Sequence, residues 1–290
     1  MTSLALEIAP DLVVEFKDLD PRLLERIAVF LDFYPVAADS GGALVISSDP
    51  PPVANLDSPR AQIICEEQDL VVKRSGQLVL FDSTVGTSAW CNSERGTAGI
   101  VVDRPSAEGH EYFVWRVLAG LLMELAESRN WYGLHAAGAV IAGQGLLLTG
   151  PSGVGKSTLI RRLHEAGHGV LSDDLIWLGQ TSDGFRATPF PRGAASVTTP
   201  RPTVGQTDLA AIVCPTLVDR DQSRLLPLPT AEVLEVLVDQ SGFLGAAART
   251  ARRFTTLVRL ANSLPGYRLE AGRCQQKIPP LLAQLAATDL

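Results

Sequence analysis

The chain has 290 residues, a net charge of -7 at neutral pH and a sequence pI near 5.2. This length suffices for one large domain or two modest ones with a sizeable core. The acidic balance disfavours non-specific binding to nucleic acid, because a polyanionic backbone requires a basic surface. No stretch reaches the roughly 20 apolar residues of a membrane span and the first residues resemble no targeting signal, so we expect a cytoplasmic protein without a membrane partner.

Short apolar runs and one helical pattern fill the first 105 residues, which predicts a small α+β domain without a chemical motif. The polar, glycine-containing segment 86–96 is interpreted as an ordinary turn. The strands are predicted at 43–47, 69–74 and 77–81, and the helix at 23–33.

Residues 106–290 alternate helical and strand patterns, which predicts an α/β domain. A helix over 111–127 precedes a hairpin whose glycine turn is placed at 142–145. The later predicted elements are a helix to about Ala166, strands at 168–174 and 209–218, a helix over 231–240 with Thr230 as its N-cap, and a helix over 243–264.

The cysteines are far apart and follow no CxxC or Cys/His spacing. A zinc site or a disulfide framework is therefore disfavoured. We expect reduced and mostly buried thiols at Cys65, Cys91, Cys214 and Cys274.

The segment 150–157, "GPSGVGKS", fits the P-loop pattern G-x-x-x-x-G-K-[ST] between an apolar strand and an amphipathic helix. Its glycines let backbone N–H groups surround phosphate oxygens at a helix N-terminus. Lys156 is expected to reach the terminal phosphates, and the Ser157 hydroxyl to help hold Mg²⁺. The predicted nucleotide-binding residues are Gly150, Pro151, Ser152, Gly153, Val154, Gly155, Lys156, Ser157 and Thr158.

Two adjacent aspartates follow the loop at the end of the apolar run "GVLSDD". Asp173 lies seventeen positions after Lys156, a distance that fits a helix of about ten residues returning to a parallel strand. Neighbouring side chains on a strand point to opposite faces, so one carboxylate can hold the metal while the other acts elsewhere. We assign Asp173 to the metal and Asp174 to the role of general base toward an acceptor hydroxyl.

His135 lies on the predicted strand before the loop. Across the hairpin turn its side chain could approach the phosphates, although a lone histidine on a strand is more often structural.

Over residues 134–178 the sequence resembles the catalytic domain of HPr kinase/phosphorylase, and more closely the divergent bacterial HPr-kinase-related proteins, which include kinases associated with lasso-peptide tailoring. The family similarly shows a histidine on the strand before the loop, a loop of the form G-x-S-G-x-G-K-S, then "GH" and an apolar strand ending in two aspartates. The resemblance implies a P-loop kinase core on a mixed sheet, similar to phosphoenolpyruvate carboxykinases. It also implies ATP and Mg²⁺ as cofactors and leaves a homo-oligomer open.

Carried over residue by residue, the resemblance implies that Lys156 and Ser157 bind nucleotide phosphate and magnesium. It further implies that Asp173 and Asp174 serve the metal and the acceptor hydroxyl, and that His135 lines the same site. Where HPr kinases carry a glutamate before Arg-Gly, this chain has Pro191, which puts a second metal contact and the reverse phosphorylase reaction in doubt. Arg192 keeps its place in that alignment as a candidate catalytic residue that contacts phosphate or substrate.

The segment 249–277 has seven basic residues and one acid, Glu270, within an otherwise acidic chain. An apolar stripe at helical spacing, which includes Phe254, should place the arginines on the open face of a helix. They are either solvated, or Arg252 and Arg253 dock the acceptor or its phosphate.

These patterns favour an ATP-dependent kinase that acts on a hydroxyl, in first place a serine of a peptide or small protein. A small-metabolite kinase would use the same core with a closed acceptor pocket. A nucleotide-hydrolysing switch or assembly factor is the third option, although the sequence shows no switch segment and no N-K-x-D motif.

Overall fold

The computed structural model describes residues 3–9, 12–39, 41, 43–50, 61–102, 116–190, 200–241 and 247–287. They form two compact units, whose described residues lie between Ser3 and Trp131 and between Tyr132 and Ala287. Each unit contains an eight-stranded sheet with parallel and antiparallel pairs, which confirms the predicted mixed α/β class. Within the described ranges, no helix has both the length and the apolar character to cross a membrane.

The first unit is built on a sheet with the strand order β1-β2-β3-β8-β7-β6-β5-β4. The pairs β2–β3 and β3–β8 are parallel. Among the described residues of this unit, two α-helices and a 3-10 helix at Glu127–Arg129 accompany the sheet. The elements are β1 (Ser3–Ala9), β2 (Leu12–Lys17), α1 (Pro21–Phe30), β3 (Leu44–Ser47), β4 (Gln62–Glu66), β5 (Leu70–Ser75), β6 (Leu78–Ser83), β7 (Thr87–Asn92), β8 (Thr97–Val102) and α2 (Leu118–Ala126).

Local sequence signals explain why α1 begins where it does. The Asp20 carboxylate accepts the backbone N–H groups of Arg22 and Leu23 at 2.9 and 3.2 Å, and Pro21 occupies the first helical position. Proline fits there because its missing N–H would have no partner in the first turn. The helix buries one face through Leu23, Leu24, Ile27 and Phe30.

The interpretation of segment 86–96 as a turn is wrong. Thr87–Asn92 forms β7, whose residues alternate between buried and half-buried. The inward positions are Thr87, Ala89 and Cys91, which are too small or too polar to produce a recognisable apolar alternation. Turns lie only at the two ends of the segment, at Gly86 and around Gly96, whose φ values are +78° and +64°.

The predicted domain boundary at 105/106 falls in residues outside the described ranges. The structural division comes after Trp131, so α2 belongs to the first unit. There, Glu124 of α2 pairs with Arg74 of β5 at 2.7 Å, and both side chains are buried.

The second unit is built on a sheet with the order β10-β9-β12-β13-β14-β16-β15, to which β11 is added by pairing with β9. A 3-10 helix at Gln275–Lys277 precedes the last helix. The elements are β9 (Trp131–Ile141), β10 (Gln144–Thr149), α3 (Lys156–Glu165), β11 (Gly169–Ser172), β12 (Leu175–Gln180), β13 (Phe185–Pro189), β14 (Thr207–Leu217), β15 (Arg224–Leu228), α4 (Thr230–Asp239), α5 (Ala247–Ser263), β16 (Gly266–Ala271) and α6 (Ile278–Ala287).

Alternating side chains on β9 and β10 build a core on each face of this sheet. Leu147 packs in the cluster that includes side chains of α4 and α5, whereas Leu146 and Leu148 pack in the cluster that includes α3 and α6. The second unit therefore has three layers, with helices on both faces of the sheet.

Two details differ from the predictions for this unit. The β9–β10 turn consists of Ala142 and Gly143 alone, with φ of +49° and +84°, as a two-residue hairpin turn of the favoured twist requires. Pro229 is the N-cap of α4, and Thr230 is its first residue. No side chain caps this helix start, so the serine/threonine rule placed the boundary one residue late.

All four cysteines are free thiols. Cys91 and Cys214 are buried, Cys65 is half-buried and Cys274 is exposed. Burial raises the pKa of Cys214 to about 11.

Candidate functional site

The loop between β10 and α3 is shaped by three glycines and ends at a helix N-terminus. Gly150, Gly153 and Gly155 have φ of +150°, +84° and +95°, a region that glycine adopts without steric cost. Gly155 is the N-cap of α3 and provides no side-chain cap. The first N–H groups of α3 therefore lack a capping side chain and, with the helix dipole, suit an anion.

Lys156 places its ammonium group within this loop. The side chain is 6% exposed, and Nζ donates to the carbonyl oxygens of Gly150 at 2.6 Å and Pro151 at 3.1 Å. Burial lowers the pKa of Lys156, and the negative charge of Asp174 opposes that shift. The lysine is thus enclosed by the loop and lies within electrostatic reach of one predicted catalytic carboxylate.

Strand direction brings the loop and the aspartates to one edge of the sheet. β9 pairs antiparallel with both β10 and β11, so those two strands run in the same direction on either side of it. The loop follows the carboxyl end of β10, and Asp173 and Asp174 follow the carboxyl end of β11. The predicted return to a parallel direction is therefore observed, with β9 inserted between the two strands.

The two aspartates differ strongly in exposure. Asp173 is 3% exposed, whereas the side chain of Asp174 is 49% exposed. The backbone N–H of Asp174 donates to Ser172 Oγ at 3.4 Å. A solvent-accessible carboxylate can meet an incoming substrate, so Asp174 has the accessibility that a base toward an external hydroxyl requires.

His135 contacts Asp174 directly. Its neighbours on β9, Leu134 and Ala136, belong to the cluster on the α4/α5 face, so the imidazole points toward the face that carries α3. Nε2 lies 3.2 Å from Asp174 Oδ1. The backbone N–H of His135 donates to the Gln240 carbonyl at 3.1 Å, which fixes this part of β9. The structure therefore brings Lys156, Asp174 and His135 together at one edge.

The arginine candidates are not part of this group. Arg192, with Pro191, lies outside the described residues. Arg252 is exposed on α5. The predicted open-face position is wrong for Arg253, which is 7% exposed, donates from Nη1 to the Ser241 carbonyl at 3.3 Å and lies 6.0 Å above the Tyr132 ring.

The buried stripe of α5 contains the predicted positions Leu257 and Ala261 but lacks the predicted Phe254. Phe254 is 45% exposed, whereas Arg253, Leu257, Leu260 and Ala261 are buried. Sequence periodicity did not allow for a buried arginine, because the cation–π contact and the carbonyl acceptor come from distant segments.

The residues at the loop fit a magnesium ion that is held mainly by substrate phosphates. Among the described residues, no cluster of three or more His, Cys, Asp or Glu could hold a metal by itself. Mg²⁺ in phosphate-transfer sites typically takes only one or two protein ligands, with phosphate oxygens and waters. Ser157, exposed in the first turn of α3, and Asp173 would supply that small set.

A third strand also ends at this edge, and no local sequence pattern indicates it. β14 pairs parallel with β10 on the side opposite β9, and it ends at Leu217. A β-carbon on Gly155 would lie 3.9 Å from Leu217 Cδ2. The apolar run at 209–218 was recognised as a strand, but its partner could not be inferred from a local pattern.

Comparisons with known proteins show local similarity to one family. No protein-family model matches the chain. A stretch of 51 residues is 41% identical to the HPr kinase/phosphorylase of Bordetella pertussis and amounts to 18% of this chain and 17% of that protein. For the HPr kinase/phosphorylase of Nitrosomonas europaea the identity is 36% over 73 residues, 25% of this chain and 22% of the relative.

The structure also matches the Hpr(Ser) kinase/phosphatase from Coxiella burnetii, over 53% of this chain and 93% of that chain, with 16% identity and a TM-score of 0.30. At this TM-score the match supports no conclusion.

The second unit is thus a mixed-sheet α/β domain in which a loop with the P-loop sequence pattern and two adjacent aspartates lie at the same sheet edge. The sequence identities relate this chain to the HPr kinase/phosphorylases, which confirms the resemblance seen in the motif. The chain spans less than a quarter of the length of these curated relatives. The closer likeness to lasso-peptide-associated kinases stays a prediction.

Proposed function

We propose that the protein is an ATP-dependent kinase that transfers the γ-phosphoryl group to a hydroxyl, in first place a serine of a peptide or small protein. The observation that carries this proposal is the approach of a half-exposed carboxylate, Asp174, to both the enclosed loop lysine and His135. A phosphate-binding loop alone would serve any nucleotide protein. A carboxylate beside it, accessible from solvent and held by a histidine, is suited to deprotonating an acceptor.

In this proposal the loop binds and orients the donor. The N–H groups at the start of α3 and the Lys156 ammonium bind the phosphate oxygens, so Lys156 exchanges its contacts with Gly150 and Pro151 for contacts with phosphate. Ser157 and Asp173 would hold Mg²⁺, which neutralises phosphate charge when bound. Two arginines are the proposed contacts to phosphate or acceptor. Arg192 is proposed from the family resemblance, and Arg252 from its exposure on α5.

The proposed transfer step uses Asp174 as the proton acceptor. The acceptor oxygen forms a bond to the γ-phosphorus, the bond to the oxygen that bridges the β- and γ-phosphates breaks, and ADP leaves. The hydroxyl proton passes to Asp174, while His135 Nε2 keeps that carboxylate oriented from the 3.2 Å contact. Positioning and charge stabilisation supply most of the rate enhancement in such reactions.

A labelling experiment tests this function. Purified protein is incubated with Mg²⁺ and γ-labelled ATP, alone and with a cell lysate, and the products are resolved as proteins, peptides and small molecules. Labelled phosphoserine in one peptide or protein, absent with Lys156→Ala and retained with His164→Ala, is the expected result. His164 is exposed near the end of α3, which makes it a control for general damage to that helix. A labelled metabolite would redirect the proposal to a small-molecule acceptor, and free phosphate alone would contradict a kinase.

A further inference from the structure

An exposed leucine lies beside the polar loop. Leu217 is the last residue of β14, and its side chain is 57% exposed, although the preceding β14 residues Val213 and Cys214 are buried. Single exposed leucines are common on protein surfaces and need no explanation by themselves. Leu217, however, lies next to Gly155, the N-cap residue of α3, and therefore beside the loop proposed to bind the phosphoryl donor.

Sheet order gives the loop two distinct sides. β10 lies between β9 and β14. The β9–β10 register ends with Thr149 opposite Ala136, so its continuation places Gly150 level with His135. On the other side, Leu217 Cδ2 lies 3.9 Å from where a Gly155 β-carbon would be. The first glycine thus lies between His135 of β9 and Pro215 of β14, whereas the last glycine is next to Leu217 on the β14 side.

The two sides correspond to the two ends of a nucleoside triphosphate. In a P-loop the lysine reaches the β- and γ-phosphates, while backbone N–H groups hold the α- and β-phosphates. Asp174 follows β11 and contacts His135 of β9, so the γ end of the donor, which the proposed base must face, belongs on the β9 and β11 side. The triphosphate is a linear chain, and its nucleoside end must therefore leave the loop on the side of β14.

We propose that Leu217 is an apolar contact for the nucleoside of the phosphoryl donor. This inference rests on the proposed function, because it assumes that the loop holds a nucleoside triphosphate. Leu217 would cover part of the sugar or base face, and the contact would strengthen binding of nucleotides without touching the phosphates. It adds a determinant of donor affinity that the P-loop motif does not contain.

Two ligands that differ only in the nucleoside test the inference. The affinities of the full-length protein for ATP and for inorganic tripolyphosphate are measured by calorimetry, both with Mg²⁺. Leu217→Ala should weaken ATP binding about five- to tenfold, the loss that corresponds to part of one leucine side chain. Tripolyphosphate affinity should stay within about twofold, because that ligand has no nucleoside. Leu217→Met should restore most of the ATP affinity.

Leu226→Ala is the matched control, since Leu226 is 40% exposed on β15 of the same unit. It should change neither affinity. Equal losses for ATP and tripolyphosphate in Leu217→Ala would show that Leu217 merely supports the loop and would overturn the inference. Unchanged binding of both ligands would overturn it as well. If the wild-type protein bound neither ligand, the proposed function would fail and the inference with it.

Discussion

Replacing His135 by alanine should separate the contribution of this residue to turnover from its contribution to stability. The contact removed is the 3.2 Å approach of Nε2 to Asp174 Oδ1, between side chains that are 35% and 49% exposed. Half-exposed pairs of this kind are screened by solvent and stabilise a protein by at most about 1 kcal/mol. The melting temperature should therefore fall by no more than roughly 2–4 °C.

The effect on phosphoryl transfer should be larger. General bases contribute about 10²–10⁴-fold to rates. A base without its orienting partner should lose at least about tenfold of this contribution, equivalent to about 1.4 kcal/mol in the activation free energy. The assay is the rate at which label leaves γ-labelled ATP for the acceptor found in the lysate, measured next to thermal unfolding of the same sample.

A double-mutant cycle decides whether His135 acts through Asp174. His135→Ala should slow the wild-type protein at least tenfold but have little further effect in the Asp174→Asn background, because the group it orients is already disabled. His164→Ala should leave both rates unchanged. A His135→Ala protein that transfers label within twofold of the wild-type rate, or additive losses in the double mutant, would refute this role.

Three further predictions concern individual contacts. Glu124→Gln should lower the free energy of unfolding of the first unit by about 3 kcal/mol in urea titrations, because it removes the carboxylate that pairs with the buried Arg74 guanidinium; a loss below 1 kcal/mol would contradict this. Asp174→Asn should lower the pKa of Lys156 further, so that, as pH rises, phosphate binding is lost at a lower pH than in wild type. If phosphate affinity measured against pH falls at the same alkaline pH in both proteins, Asp174 does not interact electrostatically with Lys156. Because burial raises the pKa of Cys214 to about 11, its contribution to stability should be complete below pH 9 and lost as pH rises toward 11; Cys214→Ser should reduce this decline, and an identical decline in both proteins would contradict the assignment.

The segment from β10 to α3 could be predicted well because every signal in it is local. The apolar strand, the glycines and the helical periodicity lie within about twenty consecutive residues, and the structure places Lys156 at the first position of the helix. The direction of β11 also followed from a local quantity, the length of the helix that precedes it.

Contacts between distant strands could not be predicted in the same way. The approach of His135 to Asp174 depends on the register of β9 with β11, and the position of Leu217 depends on a parallel pairing of β14 with β10. Neither register can be inferred from the sequence of a single strand. The burial of Arg253 similarly depends on Tyr132 and Ser241, more than ten residues away in each case.

In the first unit, side-chain size limited the prediction. The buried face of β7 consists of Thr87, Ala89 and Cys91, so it carries little of the apolar signal that identifies a strand. Pairing with β6 and β8 on both sides supplies the stabilisation that its own composition does not predict.

The most direct test of the central claim is a single-turnover measurement of phosphoryl transfer with the purified acceptor. Wild-type protein in excess over γ-labelled ATP should move the label to one hydroxyl of the acceptor, while Lys156→Ala, which removes the ammonium from the loop, should transfer almost none. Asp174→Asn should still bind ATP but transfer the label at least a hundredfold more slowly, as expected for the loss of a general base. Equal transfer by wild type and Lys156→Ala, or label recovered only as free phosphate, would contradict the account.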